Sequence, residues 1–116
     1  KLQNARFYKN LPTDIYIQLL NKTACIIGNS SSGIREGSYI GVPCVNIGTR
    51  QNSRERASNV IDVKYDENEI NKALTYQVRK KKYPQNNLYG DGFSGKKILK
   101  IIKNIKKIKI QKTITY

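Results

Sequence analysis

Short apolar runs rich in β-branched residues alternate along the chain with longer stretches whose apolar positions recur at helical spacing. That order predicts an α/β domain with a mainly parallel sheet. Arg6 to Tyr8 reads as a short strand. Leu11-Pro12-Thr13-Asp14 then offers a helix start, with Thr13 or Asp14 as N-cap and Ile15, Leu19 and Leu20 as the buried face. Thr23 to Gly28 (TACIIG) is too brief for a stable helix and reads as a central, buried strand. Ile34 to Ile40 is expected to be helical, stopped by Gly41 and Pro43, and Pro43 to Ile47 (PCVNI) to be a second buried strand. A polar loop from Gly48 to Asn59 leads into a short strand at Val60 to Val63. Asp66 to Arg79 opens with acids, carries apolar residues at Ile70, Ala73 and Leu74, and is closed by Pro84. Gly90-Asp91-Gly92 is a turn signal, after which Ser94 is expected to cap a last helix with Ile98, Ile101, Ile102 and Ile105 on one face. The tail after Ile108 is expected to fray, and no internal repeat is present.

Composition narrows this picture. The chain has 116 residues and no methionine, so Lys1 is expected to lie inside a longer protein, and the length suits one small domain. Histidine is absent, which removes the commonest general acid/base near neutral pH and the commonest metal ligand from these residues. The formal charge of +14 is concentrated: residues 1 to 78 hold ten positive and seven negative side chains. Arg79-Lys80-Lys81-Lys82 follows, then eight lysines and no acid between Lys96 and Lys112. Cys25 and Cys44 lie in apolar stretches without CxxC spacing, so two buried, reduced thiols are expected and no metal site. No run approaches the ~20 apolar residues that span a bilayer, which favours a cytoplasmic protein without a membrane partner.

One segment carries chemistry. Ile26 to Glu36 (IIGNSSSGIRE) places a strand end, a polar turn bounded by glycine and a helix start in that order. The first N–H groups of a helix lack internal partners and lie at the positive end of its dipole, so an anion there meets aligned donors. Ser30, Ser31 and Ser32 add hydroxyls, Gly33 permits close approach of the backbone, and Glu36 could accept hydrogen bonds from a pair of ribose hydroxyls. The alternative is a helix cap without a ligand, a serine as N-cap and Glu36 completing a capping box. The turn has neither the Gly-Lys-Ser/Thr of a Walker loop nor the three glycines of a dinucleotide fingerprint.

GNSSSGIREGSYIGVPCVNIGTRQNSRE, from Gly28 to Glu55, resembles the signature of the hydrolysing UDP-N-acetylglucosamine 2-epimerases, and the likeness reaches back to Phe7 and on through YGDG at Tyr89 to Gly92. The non-hydrolysing branch resembles instead a TDSGGIQEE type of turn. The resemblance implies a Rossmann-like three-layer α/β sandwich, the C-terminal half of a glycosyltransferase-B arrangement, with a UDP-binding domain over residues 1 to 107 and a basic tail over 108 to 116. It implies that Ser30 and Ser31 bind the diphosphate, Glu36 the ribose, Tyr16 packs near the uracil, and Arg50 lies close to the substrate phosphates and stabilises charge there. The reaction implied is elimination of UDP from the sugar and hydration of the resulting glycal with inversion at C2, giving N-acetylmannosamine and UDP for sialic or nonulosonic acid synthesis. No cofactor or metal is required, and a homo-oligomer, dimer or tetramer, is expected of the full-length enzyme. The family's acid/base carboxylates and active-site histidine would precede Lys1, so these residues are expected to bind UDP without turning substrate over alone.

Two competing readings follow from the same residues. A glycosyltransferase of the same architecture would also hold a nucleotide sugar at a helix N-terminus, but commonly places a glutamate before the turn, and none stands near Ile26. A nucleic-acid-binding module would use the basic C-terminal third. There the lysines alternate with isoleucines at helical spacing and no aromatic interleaving serves base stacking, which argues against it. Glu55, among Arg50, Arg54 and Arg56, is expected to pair with one of them, and Arg50 is either a solvated loop arginine or a substrate contact.

Overall fold

The computed structural model describes residues 4–105. Its elements are α1 (Thr13–Lys22), β1 (Ile26–Gly28), α2 (Ser31–Ile34), α3 (Glu36–Ile40), β2 (Cys44–Ile47), β3 (Val60–Val63), α4 (Glu67–Lys80) and α5 (Ser94–Lys103). The strands form one parallel sheet in the order β1-β2-β3, with Ile26 opposite Cys44 and Cys44 opposite Val60. All three carboxyl ends therefore lie along one edge. Side chains alternate across a strand, so Cys44, Asn46, Val60 and Asp62 share one face while Val45, Ile61 and Val63 share the other. Gly33 of α2 sits on Cys44, and Ala73 of α4 shares a recess with Ile61 and Val63, so helices cover both faces. The architecture is the expected Rossmann-like α/β sandwich.

The core is small: Leu20, Ile34, Val42, Cys44, Val45, Ala57 and Ala73. Buried amides knit it together. Asn59 Nδ2 donates to the carbonyls of Gly33 (3.0 Å) and Val42 (2.8 Å). Gln77 Nε2 donates to the carbonyls of Cys44 and Asn59, both at 2.9 Å, and its Oε1 accepts from the Tyr83 hydroxyl at 2.8 Å. One glutamine on α4 thus ties β2 to the start of β3 and to the segment after its own helix. That segment returns across α3, where Tyr83 N donates to Gly41 O (2.9 Å) and Asn86 N to Ser38 O (3.0 Å). Gly41 ends α3 in the left-handed region at φ 78°, and a Cβ there would stand 2.1 Å from the Tyr83 carbonyl oxygen.

The β3 bounds, the Gly41 stop and α4 agree with expectation, with Asp66 as N-cap accepting from Glu69 N at 2.8 Å. Several local details differ. Arg6 to Tyr8 is not a strand, having no neighbour to pair with among the described residues, and Phe7 is 87% exposed. β1 is an edge strand among the described residues, so Ile27 is half-exposed rather than central. Neither Thr13 nor Asp14 caps α1: Pro12 enters at ψ 144° and occupies the N-cap, moving Thr13 into the first turn. Only Leu20 of α1 is buried, and Ile15 and Leu19 remain exposed. The expected helix at Ile34 to Ile40 begins at Ser31 and breaks at Arg35 (ψ −73°) into α2 and α3. Ser94 is the first residue of α5 and not its cap, because the N-cap position falls on Phe93. Just before the helix, Asp91 accepts from Phe93 N (3.0 Å) and pairs with Lys97 Nζ (2.7 Å). Of the two free thiols, Cys44 is buried but Cys25 only half-buried. The boundary at residue 107 and the tail of residues 108–116 lie outside the described residues.

Candidate functional site

The GNSSSG turn leaves the carboxyl end of β1, the edge where open α/β sheets bind ligands. Ser30 has extended backbone (φ −76°, ψ 138°), and its Oγ accepts from Ser32 N at 3.3 Å, so it is the N-cap of α2. Ser31 opens the helix. Tyr16 Oη donates to Ser32 Oγ at 2.7 Å, which brings α1 against the turn. The capping half of the ligand-free alternative is realised, but the box is not. With Ser30 as N-cap the residue that would reach back is Gly33, which has no side chain. Gly33 has a duty within the fold. Its bare Cα faces the sheet, and a Cβ would come within 2.4 Å of Cys44 Sγ, so the missing methyl lets α2 settle on β2.

The Gly48–Asn59 loop leaves the neighbouring strand on the same edge. Arg50 is exposed, and its Nη1 donates to Asn29 Oδ1 at 3.4 Å. Gln51 beside it is buried and donates from Nε2 to the Asn29 carbonyl at 2.9 Å. Ser30, Ser31 and Arg50 thus lie on two loops that meet at Asn29. Glu36 stands apart. It lines a cleft of about 470 Å³ with Ile17, Asn21, Arg35, Tyr39 and Tyr89, which Ser30, Ser31, Tyr16 and Arg50 do not line. Tyr16 lines a different recess, with Tyr8, Asn10, Leu11 and Thr13.

Glu55 does not pair with an arginine. Arg56 instead binds Asp62 across 3.0 Å, and Glu55 offers its backbone carbonyl to the Tyr89 hydroxyl at 2.8 Å. Asp62 also accepts from Asn46 Nδ2 at 2.6 Å. Burial pushes the Asp62 carboxyl up, but the hydrogen bonds from Arg56 and Asn46 and the guanidinium charge outweigh it and hold the group below its ordinary value. Burial, with Cys25 and Asp62 nearby, pushes the Cys44 thiol up to about 12, so it is inert as a nucleophile near neutral pH. Sequence reasoning missed Asn29, Gln51 and the Asn46–Asp62–Arg56 chain. Their only trace in the sequence is the density of amides and arginines around GTRQNSRE.

The family of proteins described as UDP-N-acetylglucosamine 2-epimerase matches residues 1–103. The chain belongs to this family. It is 37% identical over 102 residues to the UDP-N,N'-diacetylbacillosamine 2-epimerase (hydrolyzing) of Legionella pneumophila, covering 88% of the chain and 27% of that protein. It is 38% identical over 82 residues to the GDP/UDP-N,N'-diacetylbacillosamine 2-epimerase (hydrolyzing) of Campylobacter jejuni, covering 71% and 21%. To the UDP-N-acetylglucosamine 2-epimerase of Neisseria meningitidis it is 29% identical over 94 residues, covering 79% and 25%. The chain therefore spans about a quarter of the length of these epimerases. Within it lie the serine turn, Arg50 and the YGDG turn, and the two loops meet at the carboxyl edge of the sheet. Among the described residues no helix is long and apolar enough to cross a membrane.

Proposed function

We propose that this chain is the UDP-binding part of a hydrolysing 2-epimerase, the C-terminal half of a glycosyltransferase-B arrangement in a cytoplasmic homo-oligomer. The observation that carries the reading is the junction of two loops at Asn29. The serine turn presents hydroxyls and helix N–H groups while Arg50 stands beside it, so a diphosphate would meet neutral donors from one loop and a full positive charge from the other. Glu36 is assigned to the ribose and Tyr16 to the uracil side. The substrate class is a UDP-2-acetamido sugar, either UDP-N-acetylglucosamine or a diamino relative of the kind in the Legionella and Campylobacter names. Loss of the C2 proton and departure of UDP from C1 give the glycal, and water then adds across it with C2 inverted, yielding N-acetylmannosamine or its diamino counterpart for sialic or nonulosonic acid synthesis. The share of these residues is to hold UDP and stabilise negative charge on its phosphate oxygens as the C1–O bond breaks. Proton transfer falls to residues outside the chain, which therefore binds UDP without turning substrate over by itself.

The test is calorimetric titration of the chain with UDP and with uridine. UDP is expected to bind more tightly, and Arg50→Ala to weaken it by about tenfold while leaving uridine unchanged, the size expected when one charged hydrogen bond is lost. Equal affinity for the two ligands in the unsubstituted chain would end the reading.

A further inference from the structure

We propose that Gln51 is a positioning residue of the phosphate site, clamping the loop that carries Arg50 onto the turn that carries Ser30 and Ser31; the inference rests on the UDP reading above. Gln51 and Arg50 are neighbours with opposite fates: Gln51 is 5% exposed, while Arg50 lies at the surface. Both reach the same residue. Gln51 Nε2 takes the Asn29 carbonyl at 2.9 Å and Arg50 Nη1 takes the Asn29 side chain at 3.4 Å. Among the described residues these are the only hydrogen bonds that join residues 29–31 to residues 48–56. Gln51 therefore bridges 22 positions of sequence and sets the distance at which the guanidinium stands from the serines.

Packing gives no reason for an amide at this place. Gln51 Oε1 is buried without a hydrogen-bond partner, a cost that methionine, of similar volume, would avoid. The Asn29 carbonyl, on an exposed residue, could turn to water instead. What methionine could not do is hold Asn29 in register with Arg50. Recognition of a diphosphate by donors from two loops is sensitive to such spacing, because the ordering cost falls on binding wherever the loops are not already fixed.

The experiment compares the full chain with Gln51→Met, titrating UDP and uridine and recording thermal melting. The expected result is a loss of about tenfold in UDP affinity, uridine affinity within twofold of the unsubstituted chain, and a Tm within about 3 °C. In an Arg50→Ala background the same substitution is expected to cost less than twofold, since the residue being positioned is gone. Unchanged UDP affinity, equal losses for UDP and uridine, or full additivity with Arg50→Ala would each overturn the proposal while leaving the UDP reading standing. An unsubstituted chain that does not prefer UDP to uridine overturns both. Should Gln51→Met fail to fold, Gln51→Asn, which keeps an amide but withdraws it by one methylene, is expected to give the same selective loss; if it binds UDP fully, the clamp is refuted.

Discussion

The junction of β1, α2 and β2 and the helix α5 lie at opposite ends of a scale that the sequence does not display. The junction has little helical periodicity to advertise it, yet Gly33, Ile34, Val42, Cys44 and Val45 are all buried. The α5 helix has the clearest apolar stripe in the chain, and none of its residues is buried, Ile101 being 64% exposed. A stripe on a helix specifies which face can be covered and is silent about what covers it. Close packing at the junction comes instead from small residues and paired amides, which a hydropathy pattern does not weight.

Disrupting the amides at the packed end should produce the largest effect. Gln77→Ala strips hydrogen bonds from the Cys44 and Asn59 carbonyls and from the Tyr83 hydroxyl, and is expected to cost about 3 kcal/mol by urea unfolding. A loss below about 1 kcal/mol would mean the junction does not depend on its amides. Next comes Gly33→Ala, which forces a methyl into the place of Cys44 Sγ and should cost about 2 kcal/mol, with Cys44→Ala restoring part of it. Absence of any rescue would show the two residues to be uncoupled. Acid comes third. The Asp62 carboxyl is held below its unfolded value, so its contribution is present above about pH 4 and lost as pH falls through the lowered value. Water screens this half-exposed group, limiting the loss to about 1 kcal/mol or less, and Asp62→Asn should remove that part of the acid dependence. The smallest effect belongs to α5. Ile101→Lys should change the stability of this chain by less than about 0.5 kcal/mol, and a larger loss would break the contrast between the two ends.

What was legible in the sequence was whatever local chemistry decides. The Val60–Val63 strand, the acidic helix start near Asp66 and the Gly41 stop each follow from residues within a few positions. The serine turn and the loop that carries Arg50 could be placed for the same reason, each following a strand in a parallel order. Properties that need a partner were not legible. Among the described residues Arg6 to Tyr8 has no strand beside it despite its strand-like residues, and the strand of Ile27 has one neighbour where the sequence suggested two. Caps slipped by one residue, from Thr13 to Pro12 and from Ser94 to Phe93, and neither position caps with its side chain. Gln51 escaped notice because a glutamine in a polar loop is ordinarily solvated, and its burial depends on a carbonyl 22 residues away. That Glu36 opens onto a cleft beside Tyr39 and Tyr89 depends on residues as far along the chain as Tyr89, and the motif alone does not display it.

Gly41 joins two requirements that proteins usually keep separate. Its left-handed backbone ends α3, a place where asparagine is the customary substitute for glycine. The same Cα also abuts the Tyr83 carbonyl, where any side chain at all would collide. The substitute that the helix would accept is therefore refused by the returning segment. Variation that relieves one constraint still fails the other, so drift at this position is closed off unless the segment from Tyr83 to Asn86 moves away first.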